Sequence, residues 1–321
     1  MNLRWIDDFL ALCETRSFSA AAQKRYITQS GLSKHIKALE NWLGSESLIN
    51  RSSNPIVLTP MGEAFKERAI QIVALLKTAQ REAESASRNV RNVYVSAPHV
   101  LSVTFFPAVS HLLAASGKNI CLRIIANNWR ESVACYESCE CDLLLCYNNV
   151  THNLPFDTSG QDKLILGNDY LVPVSVTDSD GRPKYRLEDG SDECLPYLAY
   201  GDETYLGAVL KSQSSFLQKS SQFDNRGEST FAEGLRAGVR GGLGLAWLPL
   251  GLVERDLDTG GMAIAGQLKY CIPLDVELYR NHQTTRPEVE ETWELLRGYG
   301  ERHQRLQLPE VKGVNVSEDE V

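Results

Sequence analysis

The stretch that decides the fold is residues 28–36, TQSGLSKHI, near the start of a 321-residue chain. Thr28 can cap a helix that runs to about Trp42, and Gly44 is placed as its C-terminal stop. At about 100° per residue the apolar side chains share one direction around the axis; they are Leu32, Ile36, Leu39 and Leu43. A separate face, centred about 120° away, carries Gln29, Ser30, Ser33, Lys34 and Lys37. One face can pack against the protein while the other stays free.

Two shorter helical patterns precede this helix. Apolar residues recur at helical spacing from Trp5 and predict a first helix that ends near Arg16. Ser19 can cap a second, short helix that begins at Ala20, and a tight connection follows around Tyr26. Three short helices with one tight turn are typical of a helix-turn-helix.

A wing is predicted after the third helix, because residues 48–51 and 56–58 have the pattern of two short strands. Arg51 at the base of this hairpin can reach a phosphate or a minor groove. The polar groups of the free helix face can bind base edges or phosphates, and the alternative is a face that is only solvated. The candidate DNA contacts are Ser19, Thr28, Gln29, Ser30, Ser33, Lys34, Lys37 and Arg51.

The charge of the chain has to be read by segment. A net charge of -8 and a pI near 5.4 argue against a nucleic-acid partner for the chain as a whole. Residues 16–51, however, hold six basic and two acidic residues. This stretch is therefore locally basic, as a small DNA-binding unit inside an acidic chain would be.

A long helix is predicted from Thr59 and Pro60, which have the pattern of a cap and first turn. Its apolar residues follow the a/d spacing of a coiled coil; they are Phe65, Ala69, Ile72, Leu76, Ala79 and Ala83. This seam predicts dimerisation, and the alternative is a helix that lies on its own protein's core. A dimer would place two recognition helices about one DNA turn, or multiples of it, apart, so a near-palindromic operator is expected.

The first sixty residues resemble the winged helix-turn-helix of LysR-type transcriptional regulators. The resemblance rests on residues 18–22 (FSAAA), on residues 28–36 and on Arg51, together with Leu39, Glu40, Leu43, Gly44, Leu58 and Thr59. The sequence departs from the family at residues 30–31, where Ser-Gly replaces a usual proline or serine followed by alanine, and at Ile49, which replaces a phenylalanine. The resemblance implies a sequence-specific regulator of double-stranded DNA that self-associates as a dimer or tetramer and responds to a small-molecule effector.

An α/β fold with largely parallel sheets is predicted from about residue 93, where short apolar runs alternate with helical patterns. The predicted strands are 93–97, 120–126, 142–147, 196–200, 243–248 and 276–279, and residues 164–176 are interpreted as a crossover. A final helix carries Val289, Trp293 and Leu296. The family resemblance implies two periplasmic-binding-protein-like subdomains with an effector in the cleft between them.

The predicted domain boundaries follow from these patterns. A winged helix-turn-helix covers residues 1–60, a linker and dimerisation helix covers 61–90, and an effector-binding domain covers 91–305. Subdomain I takes about 91–165 and 268–305, and subdomain II takes about 166–267. Residues 306–321 are predicted to be a disordered acidic tail.

Ligands of open α/β sheets bind beyond the carboxyl ends of strands, so residues at or just after the ends of predicted strands are candidate effector contacts. They are His99, Leu101, Ser102, Tyr147, Tyr200, Asp202, Thr204 and Tyr205, and four further candidates complete the set: Glu228, Ser229, Thr230 and Trp247. Core packing is the alternative role for Tyr147 and Trp247, and a structural hydrogen bond is the alternative for His99. The glycines within residues 236–249 fit close helix-to-strand packing, because no nucleotide-binding pattern accompanies them.

A redox trigger is the alternative to a small-molecule effector. Residues 98–102 (PHVLS), 204–207 (TYLG) and 245–249 (LAWLP) resemble the hypochlorite-responsive branch of the family, which implies methionine oxidation, yet the chain has only three methionines. Cysteines offer a competing switch within twelve residues of sequence; they are Cys135, Cys139, Cys141 and Cys146. Cys135 and Cys139 are expected to share a helix face. Structural packing and a metal site are the other roles open to these cysteines, and their spacing matches zinc sites poorly.

Other classes of protein fit the sequence less well. No nucleophile elbow, metal-binding histidine pair or phosphate loop is present, so neither an enzyme, a cofactor nor a metal site is expected. No stretch approaches the ~20 apolar residues of a membrane span, and the N-terminus does not have the pattern of a secretory signal, so a cytoplasmic protein is expected. A solute-binding protein would explain the C-terminal domain alone.

Overall fold

The computed structural model describes residues 2–44, 46–53, 55–88, 91–152, 156, 160–188, 194–281 and 286–302. The chain divides into two compact units, one with residues 1–89 and 137–140 and one with residues 90–136 and 141–321. We call them the N-terminal and C-terminal units. The predicted acidic tail, 306–321, lies outside the described residues.

The N-terminal unit is a winged helix-turn-helix followed by a long helix, as predicted. Its elements are α1 (Leu3–Thr15), α2 (Phe18–Lys24), α3 (Gln29–Trp42), β1 (Ile49–Asn50), β2 (Val57–Leu58) and α4 (Pro60–Arg88). The strands β1 and β2 pair antiparallel and form the wing. The apolar faces of the first three helices meet in a common core that includes Ile6, Phe9, Leu32, Ile36 and Leu39, each with no exposed surface.

The helix caps were predicted correctly for α3 and wrongly for α2. The Thr28 hydroxyl accepts a hydrogen bond from the Gly31 amide at 3.1 Å, and Gly44 lies beyond the helix with φ of 107°. For α2 the cap is Ser17, whose hydroxyl accepts from the Ala20 amide at 3.4 Å. Ser19 lies inside the first turn and is exposed. Two serines two positions apart offer the same cap pattern, so the sequence alone does not choose between them.

The predicted seam of α4 divides into a buried part and an exposed part. Phe65 and Ala69 are buried in the core of their own unit, and the Phe65 ring lies 5.4 Å from that of Phe9. Ile72 is partly buried against the same core. The first half of the seam is therefore explained by intramolecular packing, which corrects the prediction for these residues. The residues of the second half, Leu76, Ala79 and Ala83, are exposed.

The C-terminal unit is an α/β structure. Its helices are α5 (His99–Thr104), α6 (Phe106–Ala115), α7 (Trp129–Glu137), α8 (Tyr205–Ser212), α9 (Ser214–Lys219), α10 (Ala232–Arg240), α11 (Leu250–Asp258) and α12 (Pro287–Arg302). Its strands are β3 (Arg91–Pro98), β4 (Ile120–Asn127), β5 (Leu143–Asn148), β6 (Gln161–Val176), β7 (Leu195–Tyr200), β8 (Phe223–Ser229), β9 (Ala246–Pro249), β10 (Met262–Ile264) and β11 (Ile272–Asn281).

The main sheet is mixed rather than largely parallel, which corrects the prediction. Its order is β10-β6-β11-β5-β3-β4, and β9 also pairs with β6. Strands β4, β3 and β5 are parallel, whereas β11 runs antiparallel to β5 and β6. The predicted crossover at 164–176 belongs to β6, a strand of 16 residues. It pairs with β11 up to Leu171 and with β9 and β10 from Leu171 onward.

A second, parallel sheet of β7 and β8 is joined to β9 through the residue before that strand. The Leu245 amide donates to Pro196 O at 2.9 Å, and the Leu198 amide donates to Leu245 O at 2.9 Å. A side chain at Gly244 would place its Cβ 2.7 Å from Pro196 O. This close approach confirms that glycine here serves packing. The buried strand begins at Ala246 rather than at Leu243, which is 58% exposed.

Candidate DNA-binding surface and ligand pocket

The predicted division of α3 into two faces is confirmed by burial. Leu32, Ile36 and Leu39 have no exposed surface. Ser33 is half-buried, and the remaining predicted contacts of the helix are exposed; they are Gln29, Ser30, Lys34 and Lys37. The hydrogen-bonding groups of this face can therefore enter a major groove without disturbing the core, and their contact with DNA stays a prediction.

Two of the predicted DNA contacts also have structural roles. Thr28 caps α3, and its hydroxyl lies 3.2 Å from that of Ser30. Arg51 pairs with Glu40 at 3.2 Å, while Glu40 also accepts from the Leu48 amide at 3.0 Å. Glu40 thus ties the base of the wing to α3. The Arg51 side chain remains 46% exposed, so it can still reach a phosphate from this position.

A buried carboxylate that the sequence did not reveal fixes the three helices together. Asp8 of α1 has a side chain that is 4% exposed. It accepts from Arg25 Nε, just after α2, at 2.8 Å and lies 2.6 Å from His35 Nδ1 of α3. Charge-assisted hydrogen bonds of this kind set the orientation of α3 relative to the other two helices.

Tyr26 is a further candidate DNA contact in the turn between α2 and α3. Its side chain is 96% exposed, and its backbone φ is 55°, a left-handed conformation that is uncommon for a tyrosine. A tyrosine hydroxyl can bind a DNA phosphate. The sequence indicated a tight turn here, but a lone tyrosine in a turn gave no signal of its exposure.

The C-terminal unit contains a cavity of about 310 Å³. It lies beyond the carboxyl ends of β3, β4, β5, β7 and β8, where ligands of such sheets bind. It is lined by Pro98, His99, Val100, Asn127, Asn128, Trp129, Arg130, Glu131, Tyr147, Tyr200, Glu203, Thr204, Tyr205, Leu206, Thr230, Phe231, Ala232 and Glu233. Its volume suits a small organic molecule.

Half of the predicted effector contacts come together at this cavity; they are His99, Tyr147, Tyr200, Thr204, Tyr205 and Thr230. Leu101 and Ser102 instead line a separate, smaller cavity. The Asp202 side chain is 89% exposed and pairs with Lys211 at 2.5 Å. These three residues were predicted because they follow strands closely, but their side chains do not line the larger cavity.

The other three predicted contacts have structural roles or lie outside the lining. Trp247 is 1% exposed, and its indole N–H donates to Tyr270 O at 2.9 Å, so it belongs to the core. Ser229 accepts from the Phe231 amide at 3.1 Å and shapes the start of α10. Glu228 lies on β8, one residue before Ser229, and is not among the lining residues.

Sequence reasoning missed the lining residues that follow β4 and those at the start of α10. The run from Asn127 to Glu131 continues directly from β4, a strand that was predicted. The same rule of strand ends would have found them. Phe231 and Glu233 lie two and four residues beyond the end of β8. Because β8 was not predicted, the rule of strand ends could not have pointed to them.

Three pairs of side chains close the cavity from opposite sides. His99 Nδ1 lies 3.0 Å from Glu233 Oε1, and the Trp129 and Tyr205 rings are 4.8 Å apart. At the rim, Arg130 and Glu203 lie 3.5 Å apart and are mostly exposed. Each pair joins a residue that follows β3 or β4 to one that follows β7 or β8. The two sides of the cavity are therefore in direct side-chain contact.

A buried hydrogen-bonded group supports one wall of the cavity. The Tyr147 hydroxyl donates to Asp169 Oδ2 at 2.7 Å, and Asp169 also accepts from the amides of Tyr170 at 2.7 Å and Gly251 at 3.1 Å. Burial raises the pKa of Asp169 and raises the pKa of the Tyr147 hydroxyl. Tyr147 thus lines the cavity while its hydroxyl is held by Asp169.

The cysteine cluster does not have the geometry that was predicted. Helix α7 ends at Glu137, and Cys139 follows with φ of 52°, so it does not share a helix face with Cys135. Cys146 lies on β5 as expected. Burial raises the pKa of the Cys141 and Cys146 thiols well above the usual value, which disfavours the reactive thiolate. Among the described residues no three potential ligands group as a metal site.

A winged helix-turn-helix joined to an α/β unit with a cavity at its strand ends is the architecture of a ligand-responsive DNA-binding protein. Residues 3–63 match the family described as "Bacterial regulatory helix-turn-helix protein, lysR family", and residues 87–301 match "LysR substrate binding domain". The chain therefore belongs to the LysR family of transcriptional regulators, with a DNA-binding domain and an effector-binding domain. None of the described helices is long and apolar enough to span a membrane.

Similar proteins extend along nearly the whole chain. The regulator YjiE of Escherichia coli K12 is 26% identical over 301 residues, which are 92% of this chain and 94% of YjiE. Vibrio fischeri DarR, solved in complex with DNA, is 26% identical, with 92% of this chain and 98% of DarR covered and a TM-score of 0.57. Full-length HypT of Salmonella typhimurium, a hypochlorite-specific regulator, is 25% identical, with 94% and 99% covered and a TM-score of 0.58.

Proposed function

We propose that this regulator binds a near-palindromic operator with the exposed face of α3, as a dimer that assembles further into a tetramer. The observation that carries the proposal is the exposure of Lys34, Lys37 and Gln29 above a fully buried apolar face. Tyr26, which precedes α3 in the sequence, and Arg51, which follows it, add contacts to the DNA backbone. Because the partner is DNA, we place the protein in the cytoplasm, and we assign it no catalytic role.

The effector is a small molecule that binds in the cavity of the C-terminal unit. It acts by preferring one arrangement of the groups that close the cavity, because a ligand shifts an equilibrium only through such a difference in affinity. The redox alternative is less well supported by this chain. The thiols of Cys141 and Cys146 are buried with raised pKa values, and the predicted helix pairing of Cys135 with Cys139 does not form.

We expect Lys34→Ala to weaken operator binding about ten-fold and to reduce the slope of the salt dependence by about one, because it removes one ammonium group from the DNA-facing surface. Mobility shift at several defined salt concentrations measures both quantities. Lys211→Ala is the matched control, because it removes the same charge from a lysine of the C-terminal unit that pairs with Asp202. Equal operator affinity of the two variants would contradict the assignment of this face.

We expect Leu76→Glu to shift the protein from dimer toward monomer at micromolar concentration, because Leu76 is 40% exposed in the second half of the α4 seam. Analytical ultracentrifugation measures the change. Gln71→Glu adds the same charge to an exposed position about 140° around the helix from Leu76. If both variants dissociate equally, or neither does, then α4 does not dimerise through the exposed part of the seam.

A further inference from the structure

Two buried polar atoms of the cavity have no hydrogen-bond partner among the described residues. They are the hydroxyl oxygen of Tyr200 and Oε2 of Glu233, and both residues line the cavity. Tyr200 as a whole is only 4% exposed. A buried polar atom without a partner costs free energy, so a bound molecule that supplies the missing hydrogen bonds gains affinity. These two atoms therefore indicate which groups such a molecule should carry.

Glu233 specifies a hydrogen-bond donor. Its Oε1 is already engaged by His99 Nδ1 at 3.0 Å, whereas Oε2 is buried and unpaired. An ionised carboxylate can only accept hydrogen bonds, so the group that meets Oε2 must donate. Tyr200 places no further restriction, because a phenol hydroxyl can donate or accept.

The charges around the cavity favour a cationic donor over a neutral one. The described lining holds three carboxylates, on Glu131, Glu203 and Glu233, whereas Arg130 is its single arginine or lysine. Arg130 and Glu203 pair at the rim with side chains 67% and 76% exposed. Glu233, which is paired with His99, is thus the carboxylate with a buried oxygen inside the cavity lining. A cation there gains a charge-assisted hydrogen bond in a partly desolvated site.

Helix ends that could favour an anion are already occupied by acidic residues. Helices α7 and α10 begin at the cavity, and the positive ends of their dipoles attract negative charge. Each helix carries an acidic residue in its own first turn, Glu131 in α7 and Glu233 in α10. The acidic side chains thus occupy the positions at which these helix ends would attract an anionic ligand.

The walls of the cavity are suited to the body of such a ligand. The rings of Trp129 and Tyr205 lie 4.8 Å apart, and Phe231 lies 5.5 Å from the His99 ring. Aromatic faces attract cations as well as apolar groups. We propose that the effector carries a cationic nitrogen, an amine or amidine, on an aromatic or apolar body, with the nitrogen donating to Glu233 Oε2. This inference rests on the proposed effector role of the cavity and adds the chemical class of the ligand.

Calorimetric titration of the full-length protein with four matched probes tests the proposal. Benzylamine and benzamidine are cationic, benzyl alcohol is neutral and benzoate is anionic. We expect the two cations to bind at least about ten-fold more tightly than the other probes, as for a hydrogen bond to a charged group. Glu233→Gln should abolish this preference, and Tyr200→Phe should weaken benzylamine binding several-fold. Glu254→Gln, an exposed glutamate of α11 outside the cavity, is the control and should bind like the parent.

Three outcomes would overturn the proposal: benzoate or benzyl alcohol binding as tightly as the cations, no detectable binding of either cation, or unchanged benzylamine affinity in a folded Glu233→Gln variant. Thermal unfolding of each variant checks that it is folded, and Tyr200→Phe gives a second measurement if Glu233→Gln is not. Operator binding by mobility shift is measured on the same samples. Specific DNA binding without a cation preference would reject the ligand class alone, whereas loss of specific DNA binding by the parent would reject the proposed function.

Discussion

Gly62→Ala is expected to destabilise the N-terminal unit by about 3–5 kcal/mol and to abolish operator binding under conditions where the parent binds. Gly62 lies in the first turn of α4, and an added Cβ would be 2.0 Å from Leu48 O and 3.0 Å from Leu48 C. Leu48 O cannot move freely, because it accepts a hydrogen bond from the Thr59 amide at 3.1 Å. Relief therefore requires separating α4 from the wing.

Thermal unfolding of the full-length protein, together with operator affinity, measures this effect. Gly298→Ala is the matched control, since no atom of the described residues lies within 4 Å of an added Cβ at that position of α12, apart from its own chain neighbours and the helix's own backbone. An alanine in a helix is favoured over glycine by up to about 1 kcal/mol, so the control should be neutral or slightly stabilised. Melting temperatures of the two variants within about 2 °C of each other would show that the wing and α4 do not pack as described.

Asp169→Ala is expected to destabilise the C-terminal unit by about 3–5 kcal/mol. The substitution leaves the Tyr147 hydroxyl and the amides of Tyr170 and Gly251 without their shared acceptor, in a site where Asp169 is 3% exposed. Unpaired buried donors lose hydration without regaining a hydrogen bond. Because Tyr147 lines the cavity, its ring should also lose its fixed position.

Urea unfolding followed by tryptophan fluorescence measures the loss, and Asp180→Ala at an exposed position of the same unit is the control. Benzylamine titration of the Asp169 variant under folding conditions reports on the cavity. A change in unfolding free energy no larger than that of the control would mean that water satisfies the three donors. In that case Asp169 would not support the cavity wall.

Local patterns predicted the N-terminal unit well because its structure is built from short-range interactions. The cap of α3 by Thr28 and the separation of its two faces depend only on residues three to eleven positions apart. Periodicity could not say what the α4 seam packs against, because Phe65 has the same spacing whether its partner is Phe9 of the same chain or a helix of a second chain. The Asp8 cluster joins residues up to 27 positions apart and has no local signature.

The C-terminal unit was predicted less completely because its main sheet pairs strands that are far apart in the sequence. Strand β11 inserts between β5 and β6, although the residues it pairs with on each strand lie more than a hundred positions earlier in the chain. A run of apolar residues predicts that such a strand exists, but it does not predict whether the strand runs parallel or antiparallel to its neighbours. The same limit applies to the pocket: Trp247 and Tyr200 both belong to buried strands, and only the structure shows that Tyr200 lines the cavity whereas Trp247 does not.

The continuity of β6 limits the kind of motion that we expect the proposed effector to cause. The strand passes from its pairing with β11 to its pairing with β9 at Leu171, with no loop between the two parts. Free rotation of the part of β6 that pairs with β9 relative to the part that pairs with β11 would break ladder hydrogen bonds at this point. Torsion along the strand keeps them intact. We therefore expect the proposed effector signal to travel as a small twist of a stiff strand, whose amplitude is limited by the hydrogen bonds that flank Leu171.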